Sequence, residues 1–137
     1  MALLSTLRGR KRRRRATRIP TADPPHSLSW SPDGSRLAFL LGNAAFAYAA
    51  NAIGNLAPSS IRMVRGSGGQ PRRVTDAASL NTSPVWTPDG KSLLFISDRD
   101  GSRDLYQIEL SDGRLVRLTA GLSLHTIDLS RDGRMLT

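Results

Sequence analysis

Cysteine is absent from these 137 residues, which excludes disulfides, thiol nucleophiles and thiolate metal sites. No apolar run approaches the roughly 20 residues that a helix needs to cross a bilayer, so no transmembrane segment is read. An export signal is missing as the chain is written. The short apolar piece of MALLSTLRGRKRRRR precedes the basic cluster instead of following it, and IPTADPPHS stands where an apolar segment belongs. The cytoplasm is therefore the default location. Two catalytic or phosphate-binding signatures are also lacking: there is no GxSxG nucleophile elbow, and GSGG at Gly66 to Gly69 does not continue into the GK[ST] of a phosphate loop.

Acidic residues are missing from residues 1 to 18, which hold Arg8, Arg10, Lys11, Arg12, Arg13, Arg14, Arg15 and Arg18. Those eight bases account for nearly all of the formal charge of +9; the remaining chain has twelve bases against eleven acids. The run offers non-specific adhesion to nucleic acid or anionic lipid by counterion release. No aromatic residue interrupts it to stack on bases. Up to about Pro25 the composition is Arg-rich and then Pro-containing, without periodicity, and reads as a disordered arm over residues 1–25.

From Ser27 the chain changes to short alternating apolar runs broken by Gly, Pro, Asp and Asn, a β pattern. WSPDGSRLAF at Trp30 to Phe39 returns as WTPDGKSLLF at Trp86 to Phe95, and fragments of it return once more around Asp132 and Gly133. Asp33, Asp89 and Asp132 are spaced 56 and then 43 residues apart. The second spacing suits a four-stranded propeller blade. The first contains a surplus, because IRMVRGSGGQPRRVT (61–75) aligns without a gap to LYQIELSDGRLVRLT (105–119). The surplus is GNAAFAYAANAIGNLAPSS, residues 42–60, whose alanines favour a short helix over Ala44 to Ile53.

The expected fold is all-β: a partial β-propeller of two four-stranded blades, about 27–75 and 81–119, plus the start of a third at 124–137. In each blade the PDG sequence turns the first strand into the second, Pro presetting φ and Gly supplying a positive φ. RLAFLL and SLLFIS, apolar on both faces, suit strands sandwiched between neighbouring sheets.

Residues 84–119 resemble the TolB-like propeller repeat in Pro84, Trp86, Pro88, Asp89, Gly90, Phe95, Ser97, Asp98, Arg99, Asp100, Gly101, Asp104, Tyr106, Leu118 and Thr119. The first unit keeps Trp30, Pro32, Asp33, Gly34, Phe39 and Thr75, and replaces the SDRDG turn with the insertion. The resemblance implies a non-catalytic interaction scaffold, in that family between envelope proteins, and hence a periplasmic setting. The alternatives that follow it are a fragment of the gating propeller of a prolyl-oligopeptidase-like serine hydrolase, and then the sensor domain of a bacterial membrane-bound regulator. Two blades and a start do not close a ring. A fragment, or a subunit completed by blades on another chain, is therefore expected.

Candidate chemistry is sparse. Asp98, Asp100 and Gly101 mimic the start of a calcium loop but lack its third early ligand and its late Glu, so hydrogen bonding to turn amides is expected. Asp33, Asp89 and Asp132 stand before Gly in turns, which suits Asx bonding rather than acid catalysis. Trp30 and Trp86 recur at one place in each repeat, as inter-blade packing requires. His26 and His125 have no nucleophile beside them in the pattern. No cofactor or metal is expected. Phe46, Tyr48, Ile53 and Leu56 of the insertion are the candidate anchors for a protein partner.

Overall fold

A computed structural model describes residues 20–21, 23–43 and 57–137. The arginine-rich arm, the expected helix at Ala44 to Ile53, and the anchors Phe46, Tyr48, Ile53 and Leu56 lie outside the described residues. Among the described residues there is no helix, and the chain forms eight strands. They are β1 (His26–Trp30), β2 (Arg36–Gly42), β3 (Ser59–Arg65), β4 (Arg72–Arg73), β5 (Asn81–Trp86), β6 (Ser92–Ser97), β7 (Asp104–Glu109) and β8 (Leu115–Arg117).

Each run of four strands makes its own antiparallel meander, β1-β2-β3-β4 and then β5-β6-β7-β8. This is the expected partial propeller. The first hairpin of each sheet carries the same irregularity, between His26 and Ser29 and between Thr82 and Val85. At its centre Ser27 and Ser83 both take φ 51, a conformation uncommon outside glycine. Identical bulges show that the two units share backbone detail as well as letters.

Side-chain alternation then builds the core. Along β2, Ala38 and Leu40 turn toward the second sheet, while Leu37 and Phe39 join Val64 on the opposite face. Along β6, Leu93 and Phe95 turn back toward the first sheet, and Leu94 and Ile96 face Ile127. Phe95 and Tyr106 stack at 6.0 Å between ring centroids. Burying each such side chain contributes about 1.5–3 kcal/mol, so the seam between the sheets is the main source of cohesion. Beyond the second sheet the chain starts a third hairpin, bridging Leu129 to Leu136 with Asp128 and Thr137 exchanging backbone bonds.

Candidate functional site

The two PDG turns and the matching Arg131-Asp132-Gly133 turn form one end of the assembly. Gly34 N–H donates to the Ser31 carbonyl, Gly90 to Thr87 and Gly133 to Ser130, each at 2.8 Å. The aspartate inside each turn accepts from the hydroxyl two residues before it: Ser31 to Asp33 at 2.6 Å, Thr87 to Asp89 at 2.7 Å and Ser130 to Asp132 at 2.7 Å. Each also accepts the amide two residues after it, from Ser35, Lys91 and Arg134. The bond from Ser31 and then that from Ser35 hold the Asp33 carboxyl well below its usual range. The Lys91 amide and Thr87 hydroxyl do so for Asp89, as do Ser130 and the Arg134 amide for Asp132. These carboxylates are committed to ionised turn structure.

Trp86 is buried at 6% exposure and donates its indole Nε1 to the Ser29 carbonyl at 2.9 Å. Arg36 lies over the indole ring, 4.7 Å from its centroid, and its Nη2 donates to the Gly90 carbonyl at 2.6 Å. One strand end of the first sheet thus holds the tryptophan and the turn of the second. Trp30, at the equivalent position, is 40% exposed.

At the opposite end Ser59 and Asn81 join the sheets. Ser59 Oγ donates to the Asn81 carbonyl at 2.6 Å and accepts the Asn81 amide at 2.9 Å. Arg99 continues the network, donating Nη2 to Asn81 Oδ1 at 3.0 Å while its guanidinium lies over the rings of Phe95 and Tyr106. β2 and β3 pair as far as Gly42 and Ser59, so the insertion is rooted at this end.

Asp98 and Asp100 serve distant partners instead of their own turn amides. Asp98 Oδ1 accepts the Leu80 amide at 2.9 Å and Asp100 Oδ2 accepts the Tyr106 hydroxyl at 2.6 Å. The amide of Gly101 is satisfied by the Asp98 main-chain carbonyl, which frees both side chains to reach outward. Burial, and then the bond to Asp100, push the Tyr106 phenol up to about 12.

Asp104 is the residue that pattern reading undervalued. Its side chain is fully buried and accepts from Ser102 Oγ, Arg117 Nη2, Thr119 Oγ1 and the amides of Gly121 and Leu122. Burial opposes ionisation, but the bonds from Ser102, Leu122, Gly121 and Arg117 outweigh it and hold the carboxyl far below its usual range. One carboxylate therefore ties β7 to β8 and to the chain leading into the third hairpin. An aspartate opening an otherwise apolar strand is itself a signal, since Asp is depleted from strands. Among the described residues no group of three or more His, Asp or Glu side chains could hold a metal ion.

A cleft of about 340 Å³ runs across the PDG end, bordered by Trp30 and Pro32, Trp86 and Pro88, and Asp128 and Arg131. Equivalent positions of three successive repeats thus line one groove. Ser31 N–H bonds to the Arg36 carbonyl, so by antiparallel alternation the backbone groups of Trp30 point off the free edge of β1. The same holds for Trp86, since Thr87 N–H bonds to Ser92.

The TolB beta propeller domain family matches residues 4–137 of this chain, a span that takes in both sheets and the third turn. The chain belongs to the TolB-type β-propeller family. It is 35% identical to the Tol-Pal system protein TolB of Bordetella pertussis, over 69% of this chain and 29% of that protein. A 47-residue stretch is 43% identical to the TolB of Desulfosudis oleivorans. The solved TolB of Acinetobacter baumannii superposes with a TM-score of 0.63 at 31% identity, covering 80% of this chain and 25% of that one. A puromycin-hydrolyzing peptidase of Mycobacterium tuberculosis superposes at 0.60 with 23% identity, a likeness of fold alone. This TolB-type chain spans about three tenths of the Bordetella relative's length. Both sheets, and the groove at their PDG end, lie within the residues that the family matches.

Proposed function

We propose that this TolB-type chain is a non-catalytic protein-interaction module that docks a partner segment in the cleft at the PDG end. The observation that carries this reading is Trp30: a large aromatic, 40% exposed, on the lip of a groove whose next tryptophan is buried. Half-exposed aromatics beside free backbone edges are what extended segments dock against. The carboxylates around the groove's turns are engaged in structural bonds, which supports binding over chemistry.

Membership alongside Tol-Pal relatives supports an envelope, periplasmic setting over the cytoplasmic default, and makes Tol-Pal proteins of the same cell the partners to test. Isothermal titration of the full chain against each purified Tol-Pal protein provides the measurement. Trp30→Ala should weaken binding about tenfold or more while leaving the fold intact. Binding unchanged by Trp30→Ala sinks the cleft. If Phe46→Ala with Tyr48→Ala abolishes binding instead, the docking face is the insertion, with Ile53 and Leu56 as its further anchors.

A further inference from the structure

The nearly neutral body conceals a division of charge. Residues 26–75 carry five arginines against one aspartate, a net of +4, whereas residues 76–119 carry five bases against seven acids, a net of −2. Four of those five arginines lie on the outer two strands of the first sheet: Arg62 and Arg65 on β3, Arg72 and Arg73 on β4.

Register sharpens the anomaly. Arg62 stands directly opposite Arg73, and Arg36 directly opposite Arg65. Like charges across a ladder destabilise it, and the second sheet avoids this. There Tyr106 stands opposite Arg117, and Ser92 opposite Glu109 with a 2.6 Å hydrogen bond between their side chains. The charge of Arg117 is met by Asp104 at 2.6 Å and Asp100 at 4.0 Å. In the first sheet Ser60 takes the place of Asp104 in the alignment of the two units. Among the described residues no carboxylate forms an ion pair with Arg62, Arg65, Arg72 or Arg73. The same architecture is thus built once with the charges answered and once without.

We propose that the outer strands of the first sheet form a docking surface for an acidic protein segment, which supplies the carboxylates this repeat lacks. Planar guanidinium forks on both faces of an edge strand suit bidentate carboxylates approaching along β4. Lipid insertion and base stacking fit less well. Among the described residues the exposed large hydrophobics are Leu28, Trp30, Leu115, Val116, Leu118, Leu122, Met135 and Leu136, and none lies on β3 or β4. Pro71 precedes β4, which spans only Arg72–Arg73, so side chains rather than an added strand make the contact. The surface is separate from the PDG cleft, and neither reading depends on the other.

The test uses the full chain with Arg8, Arg10, Lys11, Arg12 to Arg15 and Arg18 changed to Gln, so that the arm does not contribute. Poly-L-glutamate, phosphatidylglycerol-containing vesicles and a single-stranded oligonucleotide serve as probes. Poly-L-glutamate should bind in a salt-sensitive way and lose about tenfold or more in affinity when Arg62, Arg65, Arg72 and Arg73 are all changed to Gln. Changing Lys91, Arg103, Arg114 and Arg134 to Gln should alter it by no more than about twofold. Equal loss in the two variants, no binding, or tighter binding to vesicles or oligonucleotide overturns the proposal. Thermal unfolding separates docking from structure. Relief of like-charge repulsion should leave the first variant's midpoint at or above its parent's, and a lower midpoint also overturns the proposal.

Discussion

Trp30 and Trp86 hold the same place in their sheets, yet one is 40% exposed and the other 6%. The difference lies in what precedes each sheet. Trp86 has the first sheet behind it, with a carbonyl at Ser29 for its N–H and Arg36 over its ring. Among the described residues Trp30 has no equivalent seat. A repeat unit of this kind is therefore half of its own packing problem, and identical letters acquire different energetics from their neighbours. Charge tells a parallel story: the second sheet answers its arginine with buried Asp104, and the first does not.

The tryptophans give the sharpest way to break the comparison. Trp86→Ala should cost about 3–5 kcal/mol in urea denaturation, because it opens the seam. Trp30→Ala should cost below about 1 kcal/mol, as expected for an exposed side chain. Equal losses would mean that the two sheets are packed alike after all.

Asp104→Asn should follow in size, since it leaves Arg117 without its close ionic partner and removes charge from five hydrogen bonds. The matching change Ser60→Ala in the first sheet should be much milder. Differential scanning calorimetry of the two variants would show this, and similar midpoints would remove Asp104 from its central place.

Acid should act on the same groups. Asp33, Asp89, Asp104 and Asp132 are all held below their usual range when folded, whereas in the unfolded chain they titrate near 3.9. Their stabilisation is therefore complete above about pH 5 and is lost progressively as pH falls further. In Asp104→Asn the loss of midpoint between pH 5 and pH 3 should be smaller than in the parent.

Arg36→Leu should cost about 1–2 kcal/mol, removing a cation stacked on Trp86 and its bond to Gly90. In a Trp86→Ala background the loss should shrink, and a double-mutant cycle without coupling would contradict the stacked geometry. Gly34→Ala should cost about 1 kcal/mol from its φ of +69 alone, since no atom lies within 4 Å of the added Cβ. Gly133→Ala, with a similar φ, should cost more because its Cβ would meet the Pro88 ring. Circular dichroism melts of the two variants would rank them.

Much of this fold could be read directly from the letters. The PDG turns and the alternating RLAFLL and SLLFIS strands obey rules that act over a few residues. The aspartate bonding within those turns is equally local. What escaped were groups whose partners lie far along the chain. Asp98 reaches Leu80 across 18 residues and Asp104 reaches Leu122 across another 18. Neither distance has a signature in a short window. The arginine imbalance was present in the sequence as a count, but only the register of β3 and β4 set like charges face to face.

By itself the sequence determined the repeat frame, the strand order within each sheet and the turn chemistry, because backbone alternation and the φ demands of Pro and Gly are local. Only the tertiary structure decided that Trp86 is seated and Trp30 is not, that Asp104 and not the more conspicuous Asp98 or Asp100 is the buried clamp, and that three turns share a cleft. Those outcomes depend on contacts such as Trp86 to Ser29, 57 residues apart, and Arg36 to Gly90, 54 apart. Burial is a property of what stands opposite, and two copies of one phrase do not face the same thing.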